Sequence, residues 1–272
     1  MALRAANALK AAAIPLTTTS IPSSALSTST VPTLLRFNPD PQRWDFSPWV
    51  NRLEALLTFS ESSFELGTGN ALTAPRGKLP VVRLQEGSKS EIIPDSLHAY
   101  QELVKRGVVR ELDVGLSPEE IAKSRAIQSI VEEIFLLLAK EGWIDQYYIA
   151  RDNVVLSRMP FPIRAAVGYY VWRNMSNRCR LSGLKQRTDA EIDDLRQTGV
   201  DALATWVGSN KHILGGNSPT RADAAVFGYV ASVYVNPHWF PKLTTAVKAH
   251  PNLLTYTEGL RKTWYPNRPS FM

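Results

Sequence analysis

The chain has 272 residues, 44% of them hydrophobic and 9% aromatic, enough to bury a substantial core and to form two ordinary domains. Its formal charge of +6 overstates its basicity: Arg4, Lys10 and Arg36 precede the first acid, Asp40, and without them the rest carries +3, with no Lys/Arg block interleaved with aromatics to mark a nucleic-acid groove. A single cysteine, Cys179, excludes an intramolecular disulfide and a multi-thiol metal site and fits a reducing compartment, and no apolar run approaches the ~18 residues of a membrane span.

Residues 1–31 are Ala-rich, then Ser/Thr-rich, with two bases and no acid. They read either as a disordered head or as a mitochondrial presequence, although Arg4 and Lys10 do not share a helical face. TLLRF (33–37) reads as a strand. WDFSPWVNRLEALL (44–57) begins as a turn, then falls into helical periodicity from Pro48, with Trp49, Leu53, Leu56 and Leu57 about one turn apart. A second short strand is expected around Phe64 to Leu66. VVRL and EII, separated by Glu-Gly-Ser-Lys, read as an antiparallel hairpin, and Asp95 or Ser96 caps a helix running to about Lys105.

After Gly107 the strand signals stop. Ser117-Pro-Glu-Glu120 is a capping box with proline at the first helical position, opening an apolar face from Ile121 to Leu138. A second helix is expected over Pro162 to about Ser182. A third begins at the box Thr188 to Glu191 and runs to Val207. Thr220-Arg-Ala-Asp223 opens a fourth, AAVFGYVASVYV, so poor in polar residues that it must be buried on nearly all sides. A last helix follows His250-Pro251. The terminal RKTWYPNRPSFM is polar and proline-broken, which predicts no tail anchor. The order gives an α/β unit over 32–107 and an all-α unit over 116–266.

An α/β half of about eighty residues followed by an all-helical half resembles the layout of the glutathione transferases: a thioredoxin-like N-terminal domain, then the helical C-terminal domain. Three local motifs are similar to theirs. GKLPVV resembles the loop in which a cis proline precedes the third strand. The resemblance implies that Leu79, before Pro80, offers its backbone N–H and C=O to the peptide backbone of glutathione. Pro94-Asp95-Ser96 resembles the acid-plus-serine helix start that holds the γ-glutamyl end. Free N–H groups and a Ser hydroxyl suit its carboxylate, and Asp suits its ammonium. Ser218-Pro-Thr220-Arg-Ala-Asp223 resembles the capping box of the buried helix, where Asp is structural. Taken with HPNLLTYTEGLRKTWYP, the set resembles the failed axon connections family, near the metaxins, across residues 33–266.

Ser47 stands where the transferases place the group facing the glutathione sulfur. A hydroxyl there would donate a hydrogen bond to the thiolate, and the missing cysteine excludes disulfide exchange; the alternative is a plain N-cap before Pro48. Val50 removes any C-x-x-C pair and reads as a residue packing on the sheet. Lys78 and Arg76 either reach the glycyl carboxylate or are solvated loop charges. Asp95 and Ser96 either cap a helix alone or cap it and bind ligand. Cys179 reads as a lone buried thiol. His98, His212, His238 and His250 are scattered, so no metal is expected. Tyr147, Tyr148, Tyr169, Tyr170 and Trp172 read mostly as core, or as lining for a second-substrate pocket.

Two functions fit. One is a cytoplasmic glutathione-dependent enzyme conjugating the tripeptide to an apolar electrophile, a homodimer by family analogy. The other is a noncatalytic, metaxin-like interaction protein, mitochondrial in its location. The head and the long insertion FSESSFELGTGNALTAPR favour the second; without a tail anchor it would not hold to a membrane as typical metaxins do.

Overall fold

The computed structural model describes residues 31–38, 40–71 and 73–271, so the head expected over 1–31 lies almost wholly outside the described residues. The α/β half runs β1 (Thr33–Arg36), α1 (Pro48–Phe59), β2 (Glu65–Thr68), β3 (Val81–Glu86), β4 (Lys89–Pro94) and α2 (Ser96–Lys105). The sheet order is β2-β1-β3-β4, with β1 parallel to β2 and antiparallel to β3. The hairpin expected from VVRL and EII is β3–β4, closed by a tight turn in which Gly87 takes φ 59°, a left-handed value suited to glycine.

Strand alternation sets the two faces of this sheet. Leu34, Val82, Leu84 and Ile93 pack with Leu53, Leu56 and Leu57 of α1 and with Ala99, Tyr100 and Leu103 of α2. Leu35, Leu79 and Val81 pack with Val50, which is fully buried, as its reading from the sequence required.

The helical half comprises α3 (Pro118–Lys140), the three-residue α4 (Tyr147–Ile149) between two wide helical turns, α5 (Phe161–Leu181), α6 (Asp189–Val207), α7 (Arg221–Val235), α8 (Pro241–Lys248) and α9 (Pro251–Trp264). The capping boxes expected at Ser117, Thr188 and Thr220 all form. Asp223 has a structural job. Its carboxylate accepts from the Thr220 N–H and hydroxyl (both 2.7 Å), from the Ile213 N–H (2.8 Å) and from the Tyr256 hydroxyl. The apolar face of α3 holds from Ile127 to Leu138, but Ile121 at its start is 49% exposed. Helix α8 carries no capping signal in the sequence just before it. Its first-turn amides of Lys242 and Leu243 donate instead to Glu141, a hundred residues earlier in the chain.

α7 is the axis of the molecule, with every residue from Ala222 to Val233 buried. Its tightest neighbour is α1. A Cβ placed on Gly228 would lie 2.7 Å from the Arg52 nitrogen and 2.8 Å from its Cα, so the two helix backbones touch. The neighbouring atoms are backbone and cannot rotate away. Gly228→Ala is therefore expected to lower the stability of the folded chain by about 1–3 kcal/mol, despite alanine's better helix propensity. Denaturant unfolding would show it as a lower midpoint; a midpoint at or above wild type would refute the backbone contact.

Candidate functional site

The loop between β1 and α1 is shaped by one buried acid. Asp45 accepts from the N–H groups of Phe37, Asn38 and Ser47, each at 2.9 Å, and lies 3.6 Å from the buried guanidinium of Arg36. Burial pushes the Asp45 pKa up; the backbone hydrogen bonds and the Arg36 charge pull it back. Asn51 ties the same loop to the helical half. Its side-chain oxygen accepts from the Asp45 N–H (3.1 Å), and its amide donates to the Asp45 carbonyl (2.8 Å) and to the Ser232 hydroxyl of α7 (2.9 Å).

Ser47 ends this loop at the N-cap position of α1, but its hydroxyl makes no capping bond. The capping role is thus filled by backbone conformation alone, φ −86° and ψ 122°, and the hydroxyl has no partner among the described residues. No acid stands in the first turn of α1. The acid at that end is Asp45, just before the helix, whose carboxylate accepts from the Ser47 N–H.

Ser47 opens onto a cleft of about 1690 Å³ between the two halves. Lys78, Leu79, Pro80, Asp95 and Ser96 line the same cleft, so the six candidate residues chosen from sequence converge. The Leu79–Pro80 bond is cis, and neither the Leu79 N–H nor its C=O pairs with another backbone group among the described residues. Asp95 caps α2 by accepting from the Leu97 N–H (3.0 Å) and the His98 N–H (3.3 Å) through one carboxylate oxygen, Oδ1. It does so at φ 76° and ψ 141°, a conformation normally left to glycine. The other oxygen, Oδ2, and the buried Ser96 hydroxyl have no protein partner among the described residues. Lys78 is exposed at the cleft edge; partial burial and the nearby Arg178 lower its pKa, while Asp95 raises it.

Some readings change. Tyr148, Tyr169 and Tyr170 are more than half exposed, so the expectation that most of these aromatics are core fails; only Tyr170 of the five reaches the cleft. On α5 the buried residues are Gly168, Ser176 and Cys179, while Tyr169 and Tyr170 are left to solvent. Cys179 is fully buried, and desolvation raises its pKa, which makes it an inert thiol. Among the described residues no cluster of His, Cys, Asp or Glu could hold a metal. Sequence reading named Tyr170 but missed the rest of the α5 lining of the cleft, where Val167, Tyr170, Val171, Asn174 and Arg178 recur at helical spacing. That periodicity is the signal that could have found it.

Comparison with known proteins agrees with this geometry. A model described as "Glutathione S-transferase N-terminal domain" matches residues 48–147, and one described as "Glutathione S-transferase, C-terminal domain" matches 197–260. In sequence the chain is similar to a metaxin-1 homolog of Caenorhabditis briggsae, 25% identical over 71% of this chain and 61% of that protein. It is also similar to metaxin-1 of Bos taurus, 27% identical over 72% of this chain and 63% of that protein. The match thus spans less than two thirds of those relatives. In fold it is similar to a glutathione S-transferase of Methylobacterium radiotolerans solved with glutathione sulfonate, 17% identical, covering 88% of this chain and 95% of that one at a TM-score of 0.52. A Rhodospirillum rubrum glutathione S-transferase is 14% identical, covering 89% and 90% at 0.52. With both halves matched by that family's domain models and carrying its fold, the chain belongs to the glutathione transferase superfamily, on the side of it that is similar to the metaxins.

Proposed function

We propose that the cleft binds glutathione and that the chain conjugates its thiolate to an electrophile. The observation that supports this reading is the convergence, on one cleft, of two serine hydroxyls without protein partners, a spare carboxylate oxygen and an unpaired backbone edge. Ser96, through its hydroxyl and its N–H at the start of α2, suits the γ-glutamyl carboxylate, and Oδ2 of Asp95 suits the adjacent ammonium. The Leu79 backbone suits the peptide groups of the tripeptide, and Lys78 suits the glycyl carboxylate.

In the reaction the thiol proton leaves to solvent and the sulfur remains as thiolate. The Ser47 hydroxyl donates a hydrogen bond to it. The sulfur then forms a bond to the electrophilic carbon, and the displaced group departs with its electron pair. Ser47 transfers no proton in this scheme; it raises the share of nucleophile at neutral pH.

One observation favours a second reading, a noncatalytic interaction protein: the sequence likeness to metaxin-1 extends over about seven tenths of the chain. Among the described residues no helix is long and apolar enough to cross a membrane. A cytoplasmic location goes with the first reading and a mitochondrial one with the second.

Retention on immobilised glutathione, competed by free glutathione at millimolar concentration, separates the two readings. The wild type is expected to be retained, and Ser96→Ala to bind about tenfold more weakly; a wild type that is not retained overturns the enzyme reading in favour of the second. Ser47→Ala is expected to keep its glutathione affinity and lose at least about tenfold in conjugation rate, with the pH profile of the rate displaced upward. An unchanged rate would remove Ser47 from the mechanism.

A pair of variants divides the folding role of Asp95 from its binding role. Asp95→Ala loses the cap and keeps the unfavourable backbone, so it is expected to destabilise the fold by about 1 kcal/mol or more. Asp95→Gly relieves that backbone and is expected to unfold within a few tenths of a kcal/mol of wild type. Both should bind glutathione more weakly. Full affinity in Asp95→Gly would confine Asp95 to the cap.

A further inference from the structure

The charges of the chain are unevenly spread. Residues 153–188, which include α5, carry seven cations and no acid, in a chain that holds 25 acids among 272 residues. Those seven exceed the formal charge of the whole chain, +6, so the remainder is close to neutral. They are spaced singly, and a search for Lys/Arg blocks passes over them. Among the described residues only Arg164 of the seven has a carboxylate within salt-bridge distance, Asp152 at 3.2 Å. The outer face of α5 adds apolar groups to this charge. Ile163, Ala166, Tyr169, Arg173, Arg180 and Leu181 are all exposed, and none lines the cleft. They share one side of the helix: Ala166, Arg173 and Arg180 stand about two turns apart, and Ile163 and Leu181, about five turns apart, lie in line. Leu181 is 77% exposed and Ile163 56%. At the start of the helix the exposed rings of Tyr148 and Phe161 flank the Arg151 guanidinium, at 5.1 and 5.8 Å.

We propose that the outer face of α5 docks the protein on an anionic lipid bilayer, its arginines against the headgroups and its apolar side chains in the interfacial layer. Charge complementarity selects an anionic partner, and the side chains set between the cations select lipid among anions. Ile163 and Leu181 gain nothing from a nucleic-acid backbone. At a bilayer surface their apolar area leaves water while the guanidinium heads stay with the lipid phosphates. Tyr169, stacked on Trp172 at 5.8 Å, presents a ring with a polar tip, a group that settles at headgroup depth. Arg173, in the middle of the outer face, keeps the helix along the surface and out of the hydrocarbon. A second copy of the chain is a poor occupant, since a two-fold contact would set Arg173 and Arg180 against their own copies with no acid on either helix. The docking surface is independent of glutathione and fits either functional reading.

The test is cosedimentation of the full chain with two kinds of vesicle, phosphatidylcholine alone and phosphatidylcholine mixed with phosphatidylserine. The wild type is expected to partition about tenfold or more strongly onto the mixed vesicles at low salt, with the preference shrinking as salt is added. The combined Arg173→Gln and Arg180→Gln change is expected to reduce partitioning onto the anionic vesicles about tenfold. The combined Ile163→Ser and Leu181→Ser change should reduce it by a similar factor. Arg83→Gln with Lys89→Gln, the same loss of charge at exposed positions of β3 and β4, should change it less than about twofold. A wild type without preference for the anionic vesicles overturns the proposal. So does binding that survives both pairs of α5 changes, which would move it elsewhere in the chain, for instance to the head with Arg4 and Lys10. Loss with the arginine pair alone would reveal a surface for polyanions in general, and loss with the apolar pair alone a surface indifferent to charge; either overturns the lipid assignment. All four α5 positions are exposed, so their variants should melt with the wild type. A wild-type dimer that these changes convert to monomer in sedimentation velocity would give the face to a second copy and likewise overturn the proposal.

Discussion

The contact between the backbones of α1 and α7 at Arg52 and Gly228 is the constraint from which the rest of the site follows. It draws a helix of the α/β half against the central helix of the other half, so closely that no side chain fits between them. The polar residues of α1 that flank this point are then buried and need partners. Asn51 finds Ser232 and the backbone of Asp45, Arg52 finds Gln128 and Glu132 of α3, and Glu54 finds Arg36 and Arg268. The links to Ser232, Gln128, Glu132 and Arg268 join segments far apart in sequence, whereas those to Asp45 and Arg36 are local to the α/β half. The Asn51 link, passing through Asp45, is the one that reaches Ser47. A residue at the cleft is therefore held in place by a helix contact beneath it.

The same packing sorts the charges. Arginines drawn into the interface are paired, because an uncompensated buried guanidinium would be strongly destabilising. Burial lowers the Arg52 pKa, and Glu132 offsets part of that fall. At the cleft no such requirement applies, since water can solvate a charge that lacks a protein partner. Lys78, Arg158 and Arg178 remain without carboxylate partners there, and cations outnumber carboxylates along the cleft lining. The two sets are chemically alike and differ only in what surrounds them.

Much of the fold could be read from local patterns. Capping boxes at Ser117, Thr188 and Thr220 mark helix starts because their chemistry lies within four consecutive residues. The β3–β4 hairpin shows for the same reason, and the burial of α7 shows because its sequence has almost no polar face to expose. α8 was missed because its cap is Glu141, distant in the chain. The exposed tyrosines of α5 were misplaced because residue type records that a ring can be buried and not whether another element covers it.

For the site, the sequence by itself determined the chemical inventory: a serine before Pro48, a Leu-Pro step before β3, an Asp-Ser helix start, and one cysteine that cannot pair with another within the chain. Only the tertiary structure decided that these face one cleft, that the Ser47 hydroxyl is left without a capping bond, and that Arg158 and Arg178 line the same cleft. The physical reason is range. Backbone conformation and capping are settled by neighbours a few residues apart, whereas the position of a cleft and the pairing of its charges depend on how helices pack across the whole chain.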